Sequence, residues 1–162
     1  MMGNDEDHDL KARSSALRLL ARREHSRQEL RLKLCQRKIP NATIEQVLDE
    51  FEQEGWLSDE RFAEVYGRQR RDLAYGPVRI RSELQQRGVP LWPESLATMS
   101  EHDWVESAVR ARKKKFGLSD LGDDWPEKAR QARFLAQRGF TGEQAEKALE
   151  VTECWQGAYQ ER

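Results

Sequence analysis

Leu84-Gln85-Gln86-Arg87-Gly88-Val89 decides the reading, because the chain carries this pattern three times. Leu34-Cys35-Gln36-Arg37-Lys38-Ile39 stands 50 residues before it, and Leu135-Ala136-Gln137-Arg138-Gly139-Phe140 stands 51 after it. A leucine on an inner helix face, followed by Arg-Gly, is the chemistry of a helix exit, since glycine accepts the left-handed conformation at the first residue past the helix. Each copy has a helical pattern before it and another after it. A period near fifty with that order predicts an all-α fold of three tandem three-helix repeats, each completing its neighbour's core in an elongated, curved array. The first copy departs from the pattern, with Lys38 where the others have glycine.

Helix punctuation supports the triplets. Ser26 and Glu29 form a capping box ahead of Leu30 and Leu34, and Pro40 stops that helix. Thr43 and Gln46 read as a second box, opening a helix whose Ile44, Val47, Leu48 and Phe51 share one face. Gly55 ends it. Ser58 caps the next helix, and Gly76-Pro77 breaks the chain before the following one, with proline suited to a first turn. A short helix is expected near Pro93–Met99 and a longer one from about Asp103. Gly117–Trp125 reads as a loop, Pro126 as a helix start, and Thr141 with Gln144 as a third box. The expected organisation is a disordered tail over 1–13, repeats over 14–57, 58–100 and 101–151, and a frayed tail over 152–162.

Of the 162 residues, 37% are hydrophobic and 35% charged, so any core is thin and distributed. The net charge of −1 conceals segregation. Lys11–Lys38 holds ten basic residues against two acidic, Asn41–Glu60 seven acidic and no basic, and Arg61–Arg87 seven basic against three acidic. The surface therefore alternates in sign. Cys35 and Cys154 lack any metal-ligand spacing, and Cys35 reads as a small packing residue. No apolar run is long enough to cross a bilayer, and the acidic start Met1–His8 is no secretory signal, which places the protein in the cytoplasm. His8, His25 and His102 read as isolated surface residues. No Gly-rich phosphate loop is present. No catalytic residue, cofactor or metal is expected.

The run Gly55-Trp56-Leu57-Ser58-Asp59-Glu60-Arg61-Phe62-Ala63 resembles the junction between the first two repeats of RecX proteins. Gly76-Pro77-Val78-Arg79-Ile80-Arg81-Ser82-Glu83-Leu84 is similar to that family's central motif, and Arg133-Phe134-Leu135-Ala136-Gln137-Arg138-Gly139-Phe140 to its third repeat. The resemblance spans roughly residues 14–151 and is most specific in the middle. It implies a non-enzymatic regulator that binds the RecA recombinase in the groove of its filament on single-stranded DNA. It implies, too, that filament growth, strand exchange and induction of the DNA-damage (SOS) response are limited. The implied partners are the RecA filament and single-stranded DNA within it; a monomer is expected, although the sequence leaves the working form open.

Two cationic clusters are candidate contacts with RecA or DNA. The first is Arg68, Arg70, Arg71, Tyr75, Arg79 and Arg81, where guanidinium forks suit phosphate or carboxylate. Glu64, Asp72 and Glu83 offer the same groups ordinary internal partners. Arg79 and Arg81, two positions apart, cannot share a face, so one is expected to turn inward or toward a neighbouring repeat. The second cluster is Arg110, Arg112, Lys113, Lys114 and Lys115, partly explained by the helix dipole. Arg22, Arg23, Arg27, Arg31, Lys33 and Arg37 could extend the surface. Trp56, Trp104 and Trp125 read as packing anchors. The alternatives are a helix-turn-helix-like DNA-binding protein or a helical adaptor. Against the former, Thr43–Glu54, the helix that would enter the groove, has five acidic residues and no basic one.

Overall fold

The computed structural model describes residues 2–153, and among these every regular element is an α-helix. In chain order they are α1 (Met2–Arg22), α2 (Arg27–Gln36), α3 (Asn41–Gln53), α4 (Asp59–Asp72), α5 (Pro77–Gln86), α6 (Glu94–Ala97), α7 (Glu101–Phe116), α8 (Trp125–Gln137) and α9 (Gly142–Glu150). The capping boxes at Ser26 and Thr141 are both made, and Ser58 accepts the amide of Arg61. Thr43 caps nothing. Its helix starts two residues earlier at Asn41, behind Pro40, so Thr43 falls inside the first turn. A further box, Ser100 with Asp103, opens α7. The expected tail over 152–162 lies almost wholly outside the described residues.

Two compact units divide the chain. One comprises the residues up to Tyr66 together with Leu84–Pro93, the other Gly67–Glu83 together with the residues from Glu94 onward. In the first, α1 packs on α2 and α3 around Ala12, Ala16, Leu30, Leu34, Ile44, Val47, Leu48 and Phe51. Each large side chain so buried contributes about 1.5–3 kcal/mol. Of the disordered tail expected over 1–13, residues 2–13 are instead the start of α1. Ala12 is fully buried, Arg13 pairs with Asp9 one turn back, and the same guanidinium reaches Glu50 of α3. In the second unit, α7 packs on α8 and α9 around Trp104, Ala108, Ala111, Leu135, Ala145 and Ala148.

The repeated motif has a repeated use. Within the second unit, the exit turn of α8 seats on the first turn of α5. The Gly76 amide donates to the Arg138 carbonyl (2.8 Å) and the Val78 amide to the Gly139 carbonyl (2.9 Å). Gly139 has φ of +101°, and a Cβ there would lie 2.2 Å from the Cβ of Arg79. Within the first unit, the exit turn of α5 seats in the same way on the first turn of α2. There the Ser26 hydroxyl donates to the Arg87 carbonyl (2.8 Å) and the Gln28 amide group to the Gln86 carbonyl (3.2 Å).

The third exit turn, after α2, is met by α1 among the described residues. Lys11 of α1 donates to the Arg37 carbonyl (3.1 Å). Lys38 stands there at φ +61°, the left-handed conformation its glycine counterparts adopt. Sequence departs from the pattern where docking is absent, and backbone geometry does not.

Candidate cationic groove

Most of the first cluster is internal structure. Arg70, near the end of α4, forks onto Glu83 of α5 through Nε and Nη2, both at 2.8 Å. Arg79 adds a third bond to the same carboxylate (3.0 Å) and donates across to the Gln137 carbonyl (3.1 Å), so it is the arginine that turns toward a neighbouring repeat. Arg81 is exposed, as is Arg68. Arg71 pairs with Asp72 (3.1 Å). Around Tyr75, the guanidinium carbons of Arg138, Arg70 and Arg79 lie 3.8, 3.9 and 4.5 Å from the ring centroid. Cation–π contact and one shared carboxylate hold this cluster on the protein's own groups.

Arg112 is no surface cation. It is fully buried, and it spends its donors on Gln131 Oε1 (2.8 Å) and on the carbonyls of Ser119 (2.9 Å), Ala148 (3.3 Å) and Val151 (2.6 Å). Two of those carbonyls close α9, whose C-terminal partial charge is negative, so the guanidinium acts as that helix's cap. Burial lowers its pKa from the ordinary arginine value.

What remains of the second cluster forms one wall of a groove. Arg110, Ala111, Lys114 and Lys115 share a face of α7, and Lys113, also exposed, points off it. The facing walls are Asp72 at the end of α4 with Leu73 and Ala74 just beyond it, and Phe134 of α8 with its C-cap Arg138. The volume is about 520 Å³. Arg138 is anchored there by its bonds to the Ala74 (3.2 Å) and Leu73 carbonyls. Phe134 stands edge-on to Phe116, with centroids 5.2 Å apart, and Lys115 Nζ lies 5.8 Å from the Phe134 ring. Four cations thus line the groove against one carboxylate, Asp72, already engaged by Arg71.

Arg138 and Phe134 were not singled out for function by the sequence reading. The signal available was position: Arg138 occupies the same motif place as Arg87, whose turn also docks.

Other expectations change in the first unit. Cys35 is exposed, because Leu30 and Leu34 already fill the inner face of α2. His25 is buried. Its Nδ1 lies 3.0 Å from the Arg23 carbonyl and so carries the proton, leaving Nε2 to accept from Lys33 Nζ at 2.9 Å. Arg27 and Arg31 pair with the acidic α3, Arg27 with Glu45, Asp49 and Glu52, and Arg31 with Glu45. The bonds from Arg31 and Arg27 hold the Glu45 carboxyl at about 2. Trp104 is buried, whereas Trp125 is 69% exposed at the start of α8 with Lys128 over its ring. Among the described residues no helix is long and apolar enough to cross a membrane, and no group of His, Cys, Asp or Glu is placed to hold a metal.

Comparison with known proteins follows the helix triplets. The profile of the RecX first three-helix domain matches residues 12–51, the second 58–90 and the third 101–149. The regulatory protein RecX of Halorhodospira halophila is 44% identical over 137 residues, 84% of each chain. That of Pseudomonas entomophila is 42% identical over 138 residues, 85% of this chain and 88% of the relative. The crystal structure of RecX from Lactobacillus salivarius superposes with a TM-score of 0.75, covering 90% of this chain and 96% of that one, at 19% identity, a likeness of fold. Similarity of sequence over most of both chains, together with three matched domains in order, establishes that this chain belongs to the RecX family.

Proposed function

We propose that this chain is a non-enzymatic, cytoplasmic, monomeric regulator that binds the RecA filament on single-stranded DNA and limits its recombination and damage-response activities. The observation that carries the reading to particular residues is the groove lined by Arg110, Lys114, Lys115 and Arg138 with Asp72 as its one acid. Such a surface attracts a phosphate backbone, releasing the strand's counterions. Its apolar lining of Leu73, Ala74, Ala111 and Phe134 offers a base an apolar, partly aromatic surface. In the first unit the carboxylates of the acidic α3 are only partly offset, by ion pairs with Arg13, Arg27 and Arg31, and leave that helix net negative. A filament presents both DNA phosphate and protein, so a molecule with surfaces of both signs suits it better than naked duplex.

The test is RecA-dependent ATP hydrolysis on single-stranded DNA with the chain added below stoichiometry. Slowed hydrolysis is expected, with weak binding to naked DNA at physiological salt. Unchanged hydrolysis at saturating chain contradicts the reading, and tight sequence-selective binding to duplex without RecA favours the helix-turn-helix alternative.

A further inference from the structure

Lys33 and His25 form a pair that the groove does not use. His25 lies between α1 and α2, buried, with its Nδ1 proton on the Arg23 carbonyl. Its Nε2 therefore keeps a lone pair, and the Lys33 Nζ stands 2.9 Å from it. Lys33 is half-buried on α2, so part of its side chain meets solvent.

An amine becomes a nucleophile only when its ammonium has lost a proton. Burial favours that loss, and the charges of Arg23, Arg37 and Arg22 add to it. Together they hold the Lys33 pKa below the ordinary 10.5, against the pull of Glu29. Glu29 is itself spent on the Arg23 guanidinium, both bonds at 3.2 Å, and on the Ser26 amide at 3.1 Å. Arg37 is kept close by its own bond to the Lys33 carbonyl (2.9 Å). The same arginines select the reagent. Guanidinium forks pair with phosphate, so an acyl donor that carries phosphate is drawn to this amine.

We propose that Lys33 is an acylation site that reacts with acyl phosphates, with His25 as the base. The Lys33 nitrogen attacks the carbonyl carbon, an amide C–N bond forms, and the C–O bond to phosphate breaks. The surplus proton on nitrogen passes to His25 Nε2 and from there to the departing phosphate, which leaves as hydrogen phosphate. The product is a neutral amide, so the chain loses one cation beside Arg22, Arg23 and Arg37.

The test is the full chain incubated with acetyl phosphate near neutral pH, with acetylation followed lysine by lysine by mass spectrometry. Lys114 and Lys147, both exposed, are the references. Lys33 should react at least about threefold faster than either. The advantage should vanish when the chain is unfolded in urea, because the fold brings His25 and the arginines to the amine. His25→Gln, which puts an amide where the base stands, should lower the Lys33 rate by about threefold or more and leave the references unchanged. A His25→Gln protein that keeps both its helical signal and its Lys33 rate overturns the proposal. So does a Lys33 rate no greater than the references, or an advantage that survives urea. Should the variant lose its helical signal, the wild-type rates with and without urea decide alone.

Discussion

Gly76 donates its amide to the carbonyl of Arg138 at 2.8 Å, and fifty residues upstream Ser26 donates its hydroxyl to the carbonyl of Arg87 at the same distance. One joint is made twice. In each, an Arg-Gly exit turn settles on the first turn of the preceding repeat's middle helix, and the arginine lays its guanidinium on a nearby tyrosine, Arg138 on Tyr75 and Arg87 on Tyr66. The joint explains why the motif recurs and where it is allowed to vary.

Gly139→Ala should be severely destabilising, by at least about 2 kcal/mol. It combines a left-handed backbone with overlap against the Arg79 backbone, whose amide nitrogen would lie 2.6 Å from the new methyl. Gly88→Ala should cost less, because its nearest neighbour is the Gln28 side chain, which can swing away. Chemical denaturation of the two variants checks the order. Equal losses would remove the backbone contact from the explanation.

Lys38→Gly should act in the opposite direction. Lys38 bears the strain of φ +61° with no repeat docked against it, so glycine relieves roughly 1 kcal/mol, less the entropy it adds to the unfolded chain. A raised thermal midpoint is expected, and a lowered one would contradict the equivalence of the three exit turns.

Arg112→Met should cost about 3 kcal/mol or more, because it strips a charged donor from three carbonyls and Gln131 inside the second unit. Arg112→Lys should restore part of the loss, since one ammonium cannot reach four acceptors arranged around a fork. Thermal unfolding of both reads this out. A neutral Arg112→Met would mean the α9 carbonyls find water instead.

Acid should weaken the first unit in two separable steps. Burial, with the charges of Arg23 and Lys33 added, holds the His25 pKa below its ordinary 6.5. Between the two values the unfolded chain binds more protons than the folded one, so stability is complete above 6.5 and falls as pH drops below it. Glu45, held at about 2 against an ordinary 4.5, releases its share only below 4.5. Its exposed setting makes that share small. Thermal unfolding followed from about pH 7 to about pH 5 should show a shallower decline for His25→Gln than for the wild type. Parallel curves would place the titration elsewhere.

The helices and their grouping were legible because both are written locally: caps, glycine exits and leucine spacing need no knowledge of distant residues. The Ser100 box was written there too, with Asp103 as the reciprocal acid rather than the usual Glu or Gln. The site was less legible. Arg112 looks like one cation in a solvated run, although Trp104, Ala108 and Arg112 stand four apart on the buried face of α7. His25 looked isolated, yet it precedes the Ser26 cap, where a residue commonly packs inward. The groove's α7 cations were legible as a cluster, but the groove was not, because its other walls come from the end of α4 and from α8, distant in sequence.

The most direct measurement is the affinity of the full chain for RecA filaments on single-stranded DNA, by fluorescence anisotropy, for the wild type and for Arg110→Glu with Lys114→Glu and Lys115→Glu. The three positions are exposed, so the variant should keep its helical signal. If the groove meets the filament, affinity should fall at least about tenfold and the salt dependence should flatten. Wild-type affinity with an unchanged salt slope would contradict the account.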